Sequence, residues 1–125
     1  MCSSDLKIGD YILTLFNART AAHVMHLQVS GPGSYAAHKA LEGFYDGIVG
    51  LADELAEAYQ GCYGLIKFPT GYVRPVGEAV PMLEDLKEKT VECRAEFDDE
   101  PHLQNIIDGI TALIDSTLYK LKYLK

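Results

Sequence analysis

Between Leu103 and Leu121 apolar side chains recur every three or four positions, as Leu103, Ile106, Ile107, Ile110, Leu113, Ile114, Leu118 and Leu121. At about 100° per residue these positions gather on one side of an α-helix and leave the other side to polar groups. A helix of this kind draws most of its stability from packing that stripe, so the pattern demands further helices to cover it. The chain supplies three more. A first helix runs from about Asp5 to Leu27, with Ile8, Tyr11, Ile12, Leu15, Phe16 and Ala22 expected on its core face, and stops at Ser30-Gly31-Pro32-Gly33. Ser34 is placed to cap a second helix that ends near Gln60, with Gly61 just beyond it. A third occupies roughly Val80 to Glu96, and the acidic Asp98-Asp99-Glu100-Pro101 stretch opens the fourth. Gly61 to about Pro75 carries Gly64, Pro69, Gly71 and Pro75, the composition of a long loop. No segment alternates apolar and polar residues with a period of two, so no sheet is expected. The expected fold is all-α: a single domain formed by a four-helix bundle with a long connection between helices 2 and 3.

At 125 residues and 48% hydrophobic content the chain can bury a core without staples. No apolar run approaches the roughly 20 residues of a membrane span, and Met1 to Leu6 lacks the pattern of a secretory signal, so a cytoplasmic protein without membrane contact is expected. A net charge of −7 argues against nucleic acid as the main partner, because phosphate binding needs clustered cations. The one dense basic group, Lys120, Lys122 and Lys125, suits the negative end of the last helix dipole. Cys2, Cys62 and Cys93 form no C-x-x-C pair, which argues against a disulfide framework or zinc ribbon and leaves them as unreactive thiols.

The second helix carries the chemistry. With His38 taken as zero, Glu42, Asp53 and Glu57 project near about 40°, 60° and 100°, so all four share one face. They form two i, i+4 pairs, His38/Glu42 and Asp53/Glu57, separated by roughly 22 Å along the axis at ~1.5 Å per residue. One ion cannot touch both pairs in one chain. Two copies of the helix crossed antiparallel about a two-fold axis between Gly47 and Ile48 would bring His38/Glu42 of one chain to Asp53/Glu57 of the other, creating two equivalent sites. Gly43, Gly47 and Gly50 each cost about 1 kcal/mol of helix propensity, a cost that close helix packing near that point would offset, whether between chains or within one. His26, just before the Gly-Pro-Gly reversal, returns toward His38. Mixed imidazole and carboxylate donors suit iron, manganese or zinc better than calcium.

These residues resemble the Dps family of miniferritins. The likeness rests on His26-x-x-Val29-x-Gly31-Pro32, then His38-x-x-x-Glu42, then Asp53-Glu54-x-Ala56-Glu57, in register without a gap, with coarser similarity reaching the fourth helix. The resemblance implies a ferritin-like bundle, assembled as a homo-oligomer of two-fold dimers and usually as a hollow dodecamer. It implies ferroxidase chemistry at the interface, where His26, His38 and Glu42 of one subunit and Asp53 and Glu57 of its neighbour bind Fe²⁺. Peroxide or dioxygen then oxidises the iron, which is stored as ferric mineral. The chain departs from the family pattern at several positions. Glu42 stands in place of the commoner Asp, Leu27 in place of an aromatic residue, and Ala58 in place of an Arg. Met1 to Leu6 carries no Lys-rich stretch of the kind that serves DNA binding in some members, and a Gly/Pro-rich loop is expected in place of the short helix between helices 2 and 3.

Simpler roles fit the neighbouring residues. His23 is expected to pack beside His26, Glu54 to be solvated, and the Asp99-x-x-His102 pair to cap a helix start. No Glu-x-x-His motif occurs, which disfavours a di-iron centre inside one bundle. The alternative function is a ferritin-like structural or assembly protein that keeps the same metal site in a structural role.

Overall fold

The computed structural model describes residues 5–69 and 78–124 and, among them, contains four α-helices and no strand. These are α1 (Asp5–Gln28), α2 (Ser34–Tyr63), α3 (Ala79–Ala95) and α4 (Pro101–Tyr123). None is long and apolar enough to cross a membrane.

The apolar stripes account for the packing. On α4, Leu103, Ile107, Ile110, Ile114 and Leu118 are buried, while Ile106, Leu113 and Leu121 flank them at the edge of the core. Each fully buried aliphatic side chain contributes roughly 1.5–3 kcal/mol of transfer free energy. The exposed ion pairs, such as Lys87–Asp115 and Lys122–Glu84, contribute about 0–1 kcal/mol each, so burial rather than charge sets the arrangement. On α1, Ile8, Tyr11, Ile12, Leu15 and Ala22 are buried as the periodicity requires. Phe16 is not: it is 38% exposed, because it lies about 100° round the helix from the buried Leu15.

Helix ends differ from the sequence expectation in two places. Ser34 is the first residue of α2 and does not cap it. The N-cap is Gly33 in the left-handed region (φ 80°), without a side-chain cap, and the Ser34 amide instead bonds the Gly31 carbonyl. Gly61 does not stop α2. The helix runs on to Tyr63 and ends at Gly64, whose φ of 97° suits a residue without Cβ.

Contacts along the helices set their directions. Gly47 lies against Leu113 and Gly109 against Leu51, so α2 and α4 run antiparallel. Tyr11 pairs with Thr90 and Lys7 with Glu96, so α1 and α3 do too. With α1 also packed on α2, and α3 on α4, the four form a closed ring of neighbours in the order α1, α2, α4, α3. Consequently α2 and α3 point the same way, and residues 64–78 join opposite ends of the bundle. The first part of that join is close-packed: Ile66 is buried, and a Cβ on Gly9 would lie 2.6 Å from the Lys67 carbonyl oxygen. Gly71 and Pro75, two of the loop breakers read from the sequence, lie outside the described residues, as does Lys125.

Candidate metal centre

The Gly31-Pro32-Gly33 turn folds the end of α1 back onto the start of α2 and brings His26 against His38. Both glycines adopt positive φ (88° and 80°), which lets the chain reverse in a few residues. The two imidazoles stack with their centroids 3.6 Å apart and their planes at 24°. His26 Nδ1 lies 2.9 Å from the His38 carbonyl oxygen, and His38 Nδ1 lies 3.0 Å from the His26 carbonyl oxygen. A carbonyl oxygen can only accept, so each Nδ1 carries a proton, and in the neutral ring the lone pair is on Nε2. This is the tautomer in which imidazole binds a metal through Nε2, with the outer nitrogen oriented by a backbone acceptor.

Glu42 completes the cluster. Ligand atoms of His26, His38 and Glu42 all lie within 4.8 Å of one another, the one such cluster among the described residues. His26 is buried, while His38 and Glu42 are half-buried, so the site opens outward from the groove between α1 and α2. Lys39 Nζ donates to Glu42 Oε1 at 3.2 Å, and its ammonium holds the Glu42 carboxyl below the usual carboxylate range, with His26 and His38 adding lesser contributions. Glu42 is therefore an anion at neutral pH. Its pair with Lys39 is exposed and one turn long, a contact weak enough for a divalent cation to displace. Two imidazoles and one carboxylate with open positions make up a donor set that suits Fe²⁺ and also manganese or zinc.

An aromatic wall backs the cluster. His23 stacks on Tyr45 at 4.2 Å, and Tyr45 meets His26 edge-on at 5.2 Å. His23 thus packs beside the site, as its position three residues before His26 suggested. Of the five ligands read from the sequence, one chain brings three together. Asp53 and Glu57 lie farther along α2, exposed on the same outward face, and Glu54 is exposed beside them.

The glycines of that face divide by role. A Cβ on Gly47 would meet Leu113 at 3.1 Å, so this glycine serves the α2–α4 contact within the chain. Gly43 and Gly50 have nothing within 4 Å. Val49, next to Gly50, is exposed, as are Phe16 on α1 and, by more than 70%, Leu27 and Tyr35.

One pairing was not anticipated. His102 makes no cap: α4 begins without a side-chain cap bond, and His102 Nε2 instead lies 3.2 Å from Cys62 Sγ. The two are 40 positions apart in sequence, and only the antiparallel packing of α2 on α4 brings them together.

The fold and site together describe a four-helix protein with a His/His/carboxylate cluster set in the groove between its first two helices. Residues 26–121 match the profile of a family of unknown function, DUF5856, and the chain belongs to that family. The match begins at His26 and so takes in the whole cluster together with Asp53 and Glu57. No curated protein and no solved structure matches the chain.

Proposed function

We propose that this protein is a Dps-type miniferritin, a ferritin-like bundle that binds Fe²⁺ between two-fold-related subunits and oxidises it with peroxide or dioxygen. The observation that carries this reading is the reciprocal bonding of His26 and His38, which fixes both rings with free Nε2 lone pairs beside an ionised Glu42. Helix direction supports it, since a crossover between parallel second and third helices is the ferritin-like variant of a four-helix bundle. Gly43 and Gly50 support the dimer: nothing in the chain needs them small, and each costs about 1 kcal/mol of helix propensity relative to Ala. Asp53 and Glu57 of a second copy then supply the missing carboxylates. Carboxylates favour the ferric product, and the imidazoles hold the ferrous substrate. Storage as ferric mineral in a dodecamer is the further step that the family resemblance implies.

The test is anaerobic Fe²⁺ loading followed by peroxide or air, with wild type, His38→Ala and Asp53→Ala. Wild type should oxidise iron well above the protein-free rate, and each variant should lose at least about tenfold. Equal rates in all three would overturn the proposal. The outward glycines favour a second reading, a metal clasp that assembles subunits without turnover. It would show as a chelator-sensitive dimer that oxidises iron only at the background rate.

A further inference from the structure

We propose that Cys62 is a peroxide-reactive thiol for which His102 is the proton acceptor, a second reactive centre at the far end of α2. Its distance from His38 is about 36 Å along the helix, so the two centres act independently. Cys62 lies in the last turn of α2 and His102 in the first turn of α4, both exposed, with Sγ and Nε2 at hydrogen-bonding distance, 3.2 Å.

Two features favour transfer of the thiol proton to the imidazole. His102 presents Nε2 directly to sulfur, so no water need intervene. The positive end of the α4 dipole on the His102 side and the negative end of the α2 dipole on the Cys62 side offset each other, so the direct contact carries the transfer. Exposure lets solvent and small oxidants reach the sulfur. The titratable neighbours are Tyr63, next to Cys62, and Glu100, at the head of α4. The Tyr63 hydroxyl hydrogen-bonds the Glu100 carboxyl, and that bond pushes the phenol up to about 12, so Tyr63 stays neutral and Glu100 keeps a donor. The Glu100 charge opposes a thiolate but favours the imidazolium that accompanies it.

Attack by the thiolate lone pair on one oxygen of hydrogen peroxide forms an S–O bond and breaks the O–O bond. Sulfur loses two electrons and becomes a sulfenic acid. The departing hydroxide takes the proton held on His102 and leaves as water. Cys93, the other cysteine among the described residues, is buried on α3 against the core and cannot resolve the product as a disulfide.

Peptide-resolved mass spectrometry tests this in chelator-treated protein, which separates it from the iron reading. Wild type, His102→Gln and His102→Asn are pulsed with iodoacetamide, or with peroxide plus dimedone, at pH 6.5 and 9.5. Protection of Cys93 reports that each variant is folded. At pH 6.5 Cys62 should label about tenfold faster in wild type than in either variant. At pH 9.5, where an ordinary thiol near 8.5 ionises unaided, the rates should converge. Equal rates at pH 6.5, a variant deficit that persists at pH 9.5, or no dimedone adduct on wild-type Cys62 would each overturn the proposal.

Discussion

His26 and His38 each donate a ring proton to the other's backbone carbonyl, so the side chains of the candidate metal centre are held by the main chain on which they stand. Orientation of this kind is worth about ten- to a hundredfold in metal affinity. Replacing either histidine by alanine removes a ligand and the ring stacked on the other imidazole, whose bond to the backbone carbonyl stays in place. Isothermal titration with Co²⁺, which does not oxidise under these conditions, should show at least about a tenfold loss for His26→Ala and for His38→Ala. A loss confined to one of them would show that the rings do not act as a pair.

Shared sites can be complemented. His38→Ala and Asp53→Ala chains should each be inactive alone. Unfolded together and refolded, they should recover roughly a quarter of wild-type iron oxidation, because half the dimers are mixed and each mixed dimer keeps one intact site of two. No recovery from a well-refolded mixture would place Asp53 outside the site.

The two kinds of glycine on α2 should respond oppositely. Gly47→Ala forces a Cβ to 3.1 Å from the Leu113 tip, an overpacking cost of about 1–3 kcal/mol that helix propensity offsets by about 1, so denaturant titration should show no gain and a loss of up to about 2 kcal/mol. Gly50→Ala meets no atom of its own chain and should raise the stability of the isolated subunit by about 1 kcal/mol. A bulky Gly50→Trp should leave the helical signal intact while shifting sedimentation toward monomer.

Gly9→Ala should destabilise without touching the metal centre. Its new methyl would press on the Lys67 carbonyl, with Phe68 Cα at 3.2 Å and Pro69 Cδ at 3.3 Å also in the way. Backbone cannot yield as a side-chain tip can, so a loss of about 1–3 kcal/mol is expected. Co²⁺ affinity should stay at the wild-type value.

Alkaline stability should depend on Tyr11. Thr90 spends its hydroxyl proton on the Leu86 carbonyl, so Tyr11 donates to Thr90, and burial pushes the phenol far above the usual tyrosine range. The folded state thus holds this proton more tightly than the unfolded chain. The resulting stability is fully present below the unfolded value of about 10 and declines as pH rises past it. Tyr11→Phe should lose about 1 kcal/mol at neutral pH and show a flatter loss between pH 10 and 11. Parallel slopes for the two proteins would count against a buried neutral Tyr11.

Much of this was legible in the sequence because it rests on short-range rules. The Leu103–Leu121 stripe and the Gly31-Pro32-Gly33 reversal depend on period and backbone freedom, and both appear where the residues place them. His26, His38 and Glu42 meet because a short turn leaves the chain little choice. Propensity misled at Gly61, where packing of Tyr59 and the neighbouring Tyr63 carries the helix on past a poor helix former. Ser34 misled because a left-handed glycine had already closed the turn. The Cys62–His102 pair was out of reach, since nothing local links residues brought together only by the packing of α2 on α4. The outward face of α2 could be divided only once Gly47 was seen against Leu113.

The histidine pair spans just twelve positions of chain. Loops of about that length close in roughly 10–100 ns, far sooner than a whole domain of mixed contacts can assemble. The metal centre is thus a nearest-neighbour product of one helical hairpin, while the core of Phe44, Phe97 and Ile110 needs every helix in place. During synthesis that hairpin leaves the ribosome before α3 and α4. A chain stalled once α1 and α2 have cleared the ribosome would already bring His26, His38 and Glu42 together before the rest of the bundle has formed.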